Sequence, residues 1–459
     1  MTPGLAFFEA GLLRSRNSIS ILMQCWRGLC ILSTLWYIVG FSLCFGEDLG
    51  SFIGNPWDYF VMKDVAIASV STTSGNVTTE TDHHPTWNAG GVPTTVFASF
   101  QMMFAVITPL LITGAFSERV DFTSFVWFII LWSVVVYYPV CHWVWGGGWM
   151  ATIGGDNGGA VDFAGGIVIH TTAGVSSAVV AIILGPRTGF NPDNTSWMTE
   201  SRPHSIPLAM IGAALLWMGW FGFNAGSAVA SGHAAGHTLL CTHIAASIGG
   251  IVWMILSMVD DGKPSIVATL NGSIAGLAGV TPASGFIHSQ SAAVLGIVLG
   301  VASYYGVKML KGRFKIDDAL DVSSVHGITG IVGSLAIGLV AHEDVSGSAN
   351  IHGLFFGGGG ALLGYQAIAI VVSGAWAGAF TFIICKVLES TCGFRVSKEM
   401  EETGLDLGLH GETARVLDMS PNAMSPKHAA QTLGNAFKMP DMDLGVSVAT
   451  DHTDTKNNP

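Results

Sequence analysis

Ten uninterrupted apolar stretches run through this chain, at residues 19–45, 92–116, 122–145, 162–185, 206–229, 237–258, 265–283, 289–309, 322–341 and 361–387. Each is close to the ~20 residues that a helix needs to cross ~30 Å of hydrocarbon. Half of the residues are hydrophobic and only 11% are charged, too few charges to cover a water-soluble surface of this size. The expected class is therefore an all-α polytopic membrane protein. Residues 1–13 (MTPGLAFFEAGLL) read as the second half of an eleventh helix. Runs such as IAGLAGVTPASG and GLFFGGGGALLGY supply small residues that let backbones approach in a tight bundle.

The net charge of −12 arises largely in polar loops and the tail. No basic stripe points to nucleic acid. The seven cysteines lie in or beside apolar segments without metal-type spacing, so they read as small buried hydrophobes. No metal or cofactor is expected.

Cationic residues set an orientation. Alternating the spans places Arg14, Arg16, Arg119, Arg187, Arg202, Lys263, Lys308, Lys311, Arg313, Lys315, Lys386, Arg395 and Lys398 on one side, and only Lys63 on the other. The rich side is expected to be cytoplasmic, with the start of the chain outside and the tail inside. Arg27 is the exception, about 12 Å into its span at 1.5 Å per residue. It either snorkels to the cytoplasmic side or enters the subunit interior and hampers conduction.

Residues 1–387 are expected to form the membrane domain and 388–459 a cytoplasmic tail, disordered after about 418. The stretch GFRVSKEMEETGLDLGLHGETA is patterned well enough to dock on cytoplasmic loops. The outer loop 46–91 holds a sequon, Asn76-Val77-Thr78, either used for glycosylation or present by chance.

Two histidines carry the functional signal: His170 in DFAGGIVIHTTAG and His326 in DVSSVHGITG. Each follows an aspartate, Asp162 or Asp321, and precedes a glycine, Gly174 or Gly330. Ionisable groups at membrane depth usually line a polar path. Matching sites in the two halves suggest an inverted-repeat transporter with its pathway between them.

These motifs, with FQMMFAVITPLLITGAFSER, HWVWGGGWM, GWFGFNAGSA, DVSSVHGITGIVG and GLDLGLHGE, resemble the ammonium transporter and methylammonium permease family, a relative of the Rhesus proteins. The likeness runs from Pro3 to about Ala414. It implies eleven helices, with the first five and the next five related as inverted repeats, in a homotrimer with one pore per subunit. The first helix looks half present. The resemblance also implies that His170 and His326 are the paired pore histidines, and that Asp162 is the aspartate near the outer mouth. Trp145 and Ser227, with Phe104, match the outer substrate site, and Phe104 and Phe223 match the two stacked aromatics that close the pore.

Ammonium is about the size of potassium, so size alone cannot select it. It can, however, donate hydrogen bonds and lose a proton. Indole and phenyl faces attract the cation by roughly 0.5–2 kcal/mol. A full charge deeper in an apolar pore costs far more than neutral ammonia. Two neutral imidazoles sharing a hydrogen bond can then relay ammonia and protons. Asp162, opening its helix, suits backbone N–H groups and the helix dipole, which shapes the outer site.

Other polar residues have plainer readings. Trp143 and Trp149 read as interfacial belt residues. Asp317, Asp318 and Asp321 read as helix capping and loop charge balance, and His83, His84, His233 and His237 as solvated. The expected function is inward carriage of ammonium, or methylammonium, across the plasma membrane, with lipid as the surroundings and no enzymatic activity. An ammonium sensor of the same fold, signalling through its tail, is the alternative. A metal-dependent enzyme lacks HExxH or a third ligand, and a Rhesus-type gas channel remains a variant of the transport reading.

Overall fold

The computed structural model describes residues 1–74, 77–87, 91–191, 193 and 202–414. Asn76 of the sequon and the tail after about 418 lie outside them. Eleven apolar helices account for most of the described chain. They are α1 (Thr2–Leu12), then α2 (Ser15–Phe45), α3 (Thr94–Phe116), α4 (Phe122–Trp145), α5 (Gly166–Leu184), α6 (Ile206–Gly226) and α7 (His233–Asp261). α8 (Ile266–Val280) is shorter, and α9 (Ser289–Arg313), α10 (Ser323–Val340) and α11 (Ala361–Thr391) complete the set. The chain is a multi-pass membrane protein. Its spans leave large apolar side chains on the outer surface, among them Ile182, Met218, Val259, Val294 and Val371, where lipid is the solvent.

One end of the bundle carries two small antiparallel hairpins, β1 (Asp48–Leu49) with β2 (Ile53–Gly54) and β3 (Ala68–Ser74) with β4 (Val77–His83). We call this the hairpin end, and the opposite, Arg-rich one the basic end.

Inside the spans, hydroxyls turn back onto carbonyls of their own helix, as Thr108 does to Phe104 and Ser133 to Ile129, both at 2.7 Å. Buried indoles donate across helices: Trp132 to Ser176 at 3.0 Å, Trp253 to Ser303 at 2.8 Å. In a medium without water these bonds remove donors that would otherwise be stranded.

Glycine lets some helices approach backbone to backbone. A Cβ at Gly212 of α6 would lie 2.1 Å from the Phe8 nitrogen of α1. One at Gly174 of α5 would lie 2.1 Å from the Gly327 Cα of α10. First with sixth and fifth with tenth are the pairs that an inverted repeat of five helices equates.

At the basic end, α2 to α5 and the loop before α10 are tied by a buried ion network. Glu118 accepts from Arg14 at 2.6 Å, Arg187 at 3.1 Å and Asn17 at 2.8 Å. Arg187 also forks onto Asp317 at 2.7 Å, with Arg119 3.6 Å from the same carboxylate. Burial pushes the Glu118 carboxyl up, but Arg187 and Arg14 outweigh it and hold it at about 2. Asp317 is likewise held well below the usual range: burial opposes, Arg187 prevails. The plain reading of Asp317 as loop charge balance is thus corrected, because it is an interior partner of two arginines. Asp318 does cap α10, accepting from Ser323 N at 2.6 Å, and Asp321 meets Lys311 at 2.7 Å.

The segment after α11 packs on this end. Val396 N donates to Arg119 O at 2.9 Å, and Arg395 reaches Leu184 O at 2.6 Å and Glu401 at 2.8 Å. Asp406 caps the start of α2, accepting from Ile19 N at 3.0 Å and Ser20 N at 2.7 Å. Chain through Ala414 thus forms one unit with the helices, although the sequence suggests a tail from 388.

Three further readings change. Trp143 is not a belt residue: it is buried, donates to Phe52 O at 2.8 Å and packs edge-on against Trp376. His237 is half-buried and bonded to Ile287 O at 2.9 Å, because the start of α7 folds against the loop after α8. Cys30 and Cys392 are exposed while the other five cysteines are buried. Arg27 stays on the outer surface with its guanidinium 4.7 Å from the Phe122 ring centre, which is the snorkelling arrangement.

Candidate functional site

α5 and α10 each begin with a wide, π-helical turn, residues 166–171 and 323–328. The His170 amide reaches back to Gly165 O at 3.0 Å. Such turns occur often at functional sites because they swing one side chain off the regular helical face. Here they turn His170 and His326 toward each other across the Gly174–Gly327 contact. Their Nδ1 atoms are 3.2 Å apart and the rings lie 5.1 Å apart at 21°. Both are buried, and a Cβ at Gly330 would lie 2.7 Å from the Cβ of His170, so that glycine makes room for the ring.

Trp220, which the motifs did not single out, sets the ring planes. Its indole donates to Thr281 at 2.9 Å and lies parallel to both imidazoles, at 5.7 Å from His170 and 6.4 Å from His326. His170 Nε2 is buried with no hydrogen-bond partner among the described residues.

Toward the hairpin end, Phe104 of α3 and Phe223 of α6 stack at 4.0 Å and 17°. Phe104 also meets Trp145 edge-on at 5.7 Å and Phe100 at 4.8 Å. Trp145 donates to Asp162 O at 2.7 Å. The Asp162 carboxylate accepts four backbone N–H groups: Gly165, Gly166 and Ile167 at 2.7 Å and Val168 at 3.1 Å. With both oxygens so occupied, Asp162 braces the start of α5 and, through Trp145, the indole. Ser227 sits just past the end of α6 and donates to Phe223 O at 3.0 Å. The structure thus places Phe104 in direct contact with both Trp145 and Phe223 and reaches Ser227 through Phe223.

Beneath the phenyl pair, a cavity of about 30 Å³ is lined by Phe223, Trp220, His170, His326, Ile107, Val325 and, on α1, Glu9. That volume suits one or two molecules the size of water. Glu9 has no counterpart in the sequence reading, where it is one letter in an apolar run. No group of three or more His, Cys, Asp or Glu able to hold a metal occurs among the described residues.

Paired helical halves around a small, histidine-lined cavity define a polytopic helical membrane protein built on an inverted repeat. The sequence model described as the Ammonium Transporter Family matches residues 1–415, and the chain belongs to that family. It is 49% identical to Ammonium transporter 1 of Dictyostelium discoideum, over 90% of this chain and 84% of that one. Ammonium transporter Amt1 of Archaeoglobus fulgidus is 38% identical over 90% of this chain and 95% of its own. Among solved structures, Saccharomyces cerevisiae Mep2 superposes with a TM-score of 0.74 at 31% identity, covering 86% of this chain and 87% of that one. A protein titled Sensor Amt Protein superposes at 0.77 with 28% identity, covering 89% and 94%.

Proposed function

We propose that this chain carries ammonium, or methylammonium, into the cytoplasm across the plasma membrane, with the basic end inside, as a homotrimer with one conduit per subunit. The cation is held outside by the faces of Trp145 and Phe104 and the hydroxyl of Ser227, with Asp162 fixing the vestibule wall. It gives up its proton there, and ammonia passes the Phe104–Phe223 gate to the histidine pair.

The Nδ1–Nδ1 contact is the observation that carries this reading. A hydrogen bond between two Nδ1 atoms needs one imidazole to donate and the other to accept. Two neutral rings in that state present one bare Nε2 and one Nε2–H. Ammonia, both acceptor and donor, finds a partner at each. Two imidazolium rings would repel and lack solvation. Potassium can neither shed charge nor donate, so the dry stretch excludes it.

Growth of a cell lacking its own ammonium uptake, on low ammonium, tests the proposal. Rescue by this chain is expected. The likeness to a structure titled as a sensor favours a second reading, receptor function through the tail segment. Ammonium-dependent signalling without rescue would move the assignment there.

A further inference from the structure

Glu9 is a buried carboxyl, 2% exposed, with no cationic partner among the described residues. It lines the same cavity as His170 and His326, from α1. Its Oε2 accepts from the Thr113 hydroxyl at 2.8 Å, with the Cys25 sulfur at 3.9 Å. Its Oε1 takes no hydrogen bond from any described residue. That oxygen looks into the corner where α3 meets the loop before α10: a Cβ at Gly114 would lie 2.9 Å from it, 2.6 Å from Val322 and 3.2 Å from Leu320. Leu320 and Val322 form the cavity wall on the basic side. Asp318 precedes them in the same loop. Asp318 is itself 1% exposed, and its Oδ1 has no partner. Two buried acids, each with an unspent oxygen, are thus found in α1, beside the histidine-lined cavity, and in the loop before α10. An acid buried in an apolar interior without a cation is costly to keep charged, and intramembrane acids mark proton or ion paths.

We propose that Glu9 is the proton donor that returns ammonia to ammonium on the inner side of the conduit, which rests on the conduit reading above. Ammonia leaving the histidines takes the proton of the Glu9 carboxyl: an N–H bond forms, the O–H bond breaks, and ammonium departs past Asp318. The proton that ammonium left in the outer vestibule passes along His170 and His326 and restores the acid. One positive charge then crosses with each substrate molecule.

Charge movement and radiolabelled methylammonium uptake, recorded on the same proteoliposomes of the full chain, test this. Glu9→Gln is expected to lower the charge carried per substrate about tenfold or more, and Glu9→Asp to restore much of it. A parental ratio in Glu9→Gln, or no recovery in Glu9→Asp, overturns the proposal. Thr113→Val, which removes the hydroxyl from Oε2 and leaves the acid, is expected to move the pH midpoint of the charge movement, and an unmoved midpoint counts against it. Parental uptake without charge overturns the Glu9 step and leaves the conduit standing. No uptake by the parent sinks the conduit reading itself.

Discussion

His170 and His326 meet through Nδ1 at 3.2 Å in a site walled by Trp220, so neither ring has a substitute for the other. His170→Ala leaves a buried Nδ1 on His326 without its partner and breaks the polar stripe. Methylammonium uptake is expected to fall about tenfold or more, with membrane insertion intact. Asp162 acts differently. Asp162→Asn places an amide donor among four N–H groups, each worth about 1–3 kcal/mol when left buried and unpaired. A lowered melting temperature, measured by fluorescence in detergent, is the expected result. Arg27→Ala removes a contact of about 0.5–1 kcal/mol with Phe122 and touches no lumen, so uptake equal to the parent is expected. The histidines were legible because two acid–histidine–glycine settings recur in apolar runs. Glu9 was not, since one acid in a short helix says nothing until the opposite helix places it beside a cavity. The partners of Glu118 were hidden for a related reason. Arg14 is 104 positions away and Arg187 is 69, and no local pattern encodes such a meeting.

Among elements, α5 and α10 matter most. Their crossing depends on Gly174 and Gly327, where a methyl on the first would meet the other's Cα at 2.1 Å. Gly174→Ala must push the helices apart and part the imidazoles. Uptake is expected to be lost from a chain that still reaches the membrane, as seen by surface labelling beside the transport assay. Every long apolar stretch in the sequence corresponds to a helix, because hydrocarbon thickness leaves little freedom in length. The π-helical turns that aim the histidines leave no periodic trace, being single wide turns at the start of otherwise regular helices. The β3–β4 hairpin was likewise invisible, since its Ser- and Thr-rich sequence carries too few apolar residues to mark a strand face. Trp143 shows the same limit: a tryptophan near a span end reads as a belt residue until Phe52 and Trp376 close over it.

At the level of the whole molecule, the basic end is held by ions and the interior around the histidines by apolar packing. Glu118 is depressed from 4.5 to about 2. A carboxylate lowered in the folded state stabilises fully above its unfolded value and loses that contribution as pH falls through the folded one. The window is therefore about 4.5 down to 2, and the contribution is on the order of 3 kcal/mol. Melting temperature should fall across that range, and Glu118→Gln should flatten the fall. The family and the bundle were legible in the sequence as long motifs in order. The closure of the body through residues 393–414 was legible only as a docking tendency, because its bonds run to α2, α5 and the α3–α4 loop.

By the function proposed above, an uncharged base, and no alkali cation, moves between the stacked phenyl pair and the joined imidazoles. Methylammonium uptake into proteoliposomes in a large excess of potassium tests it most directly. Uptake unchanged by potassium, with no potassium flux of its own, is the expected result. Competition by potassium, or its passage through the protein, would contradict the claim.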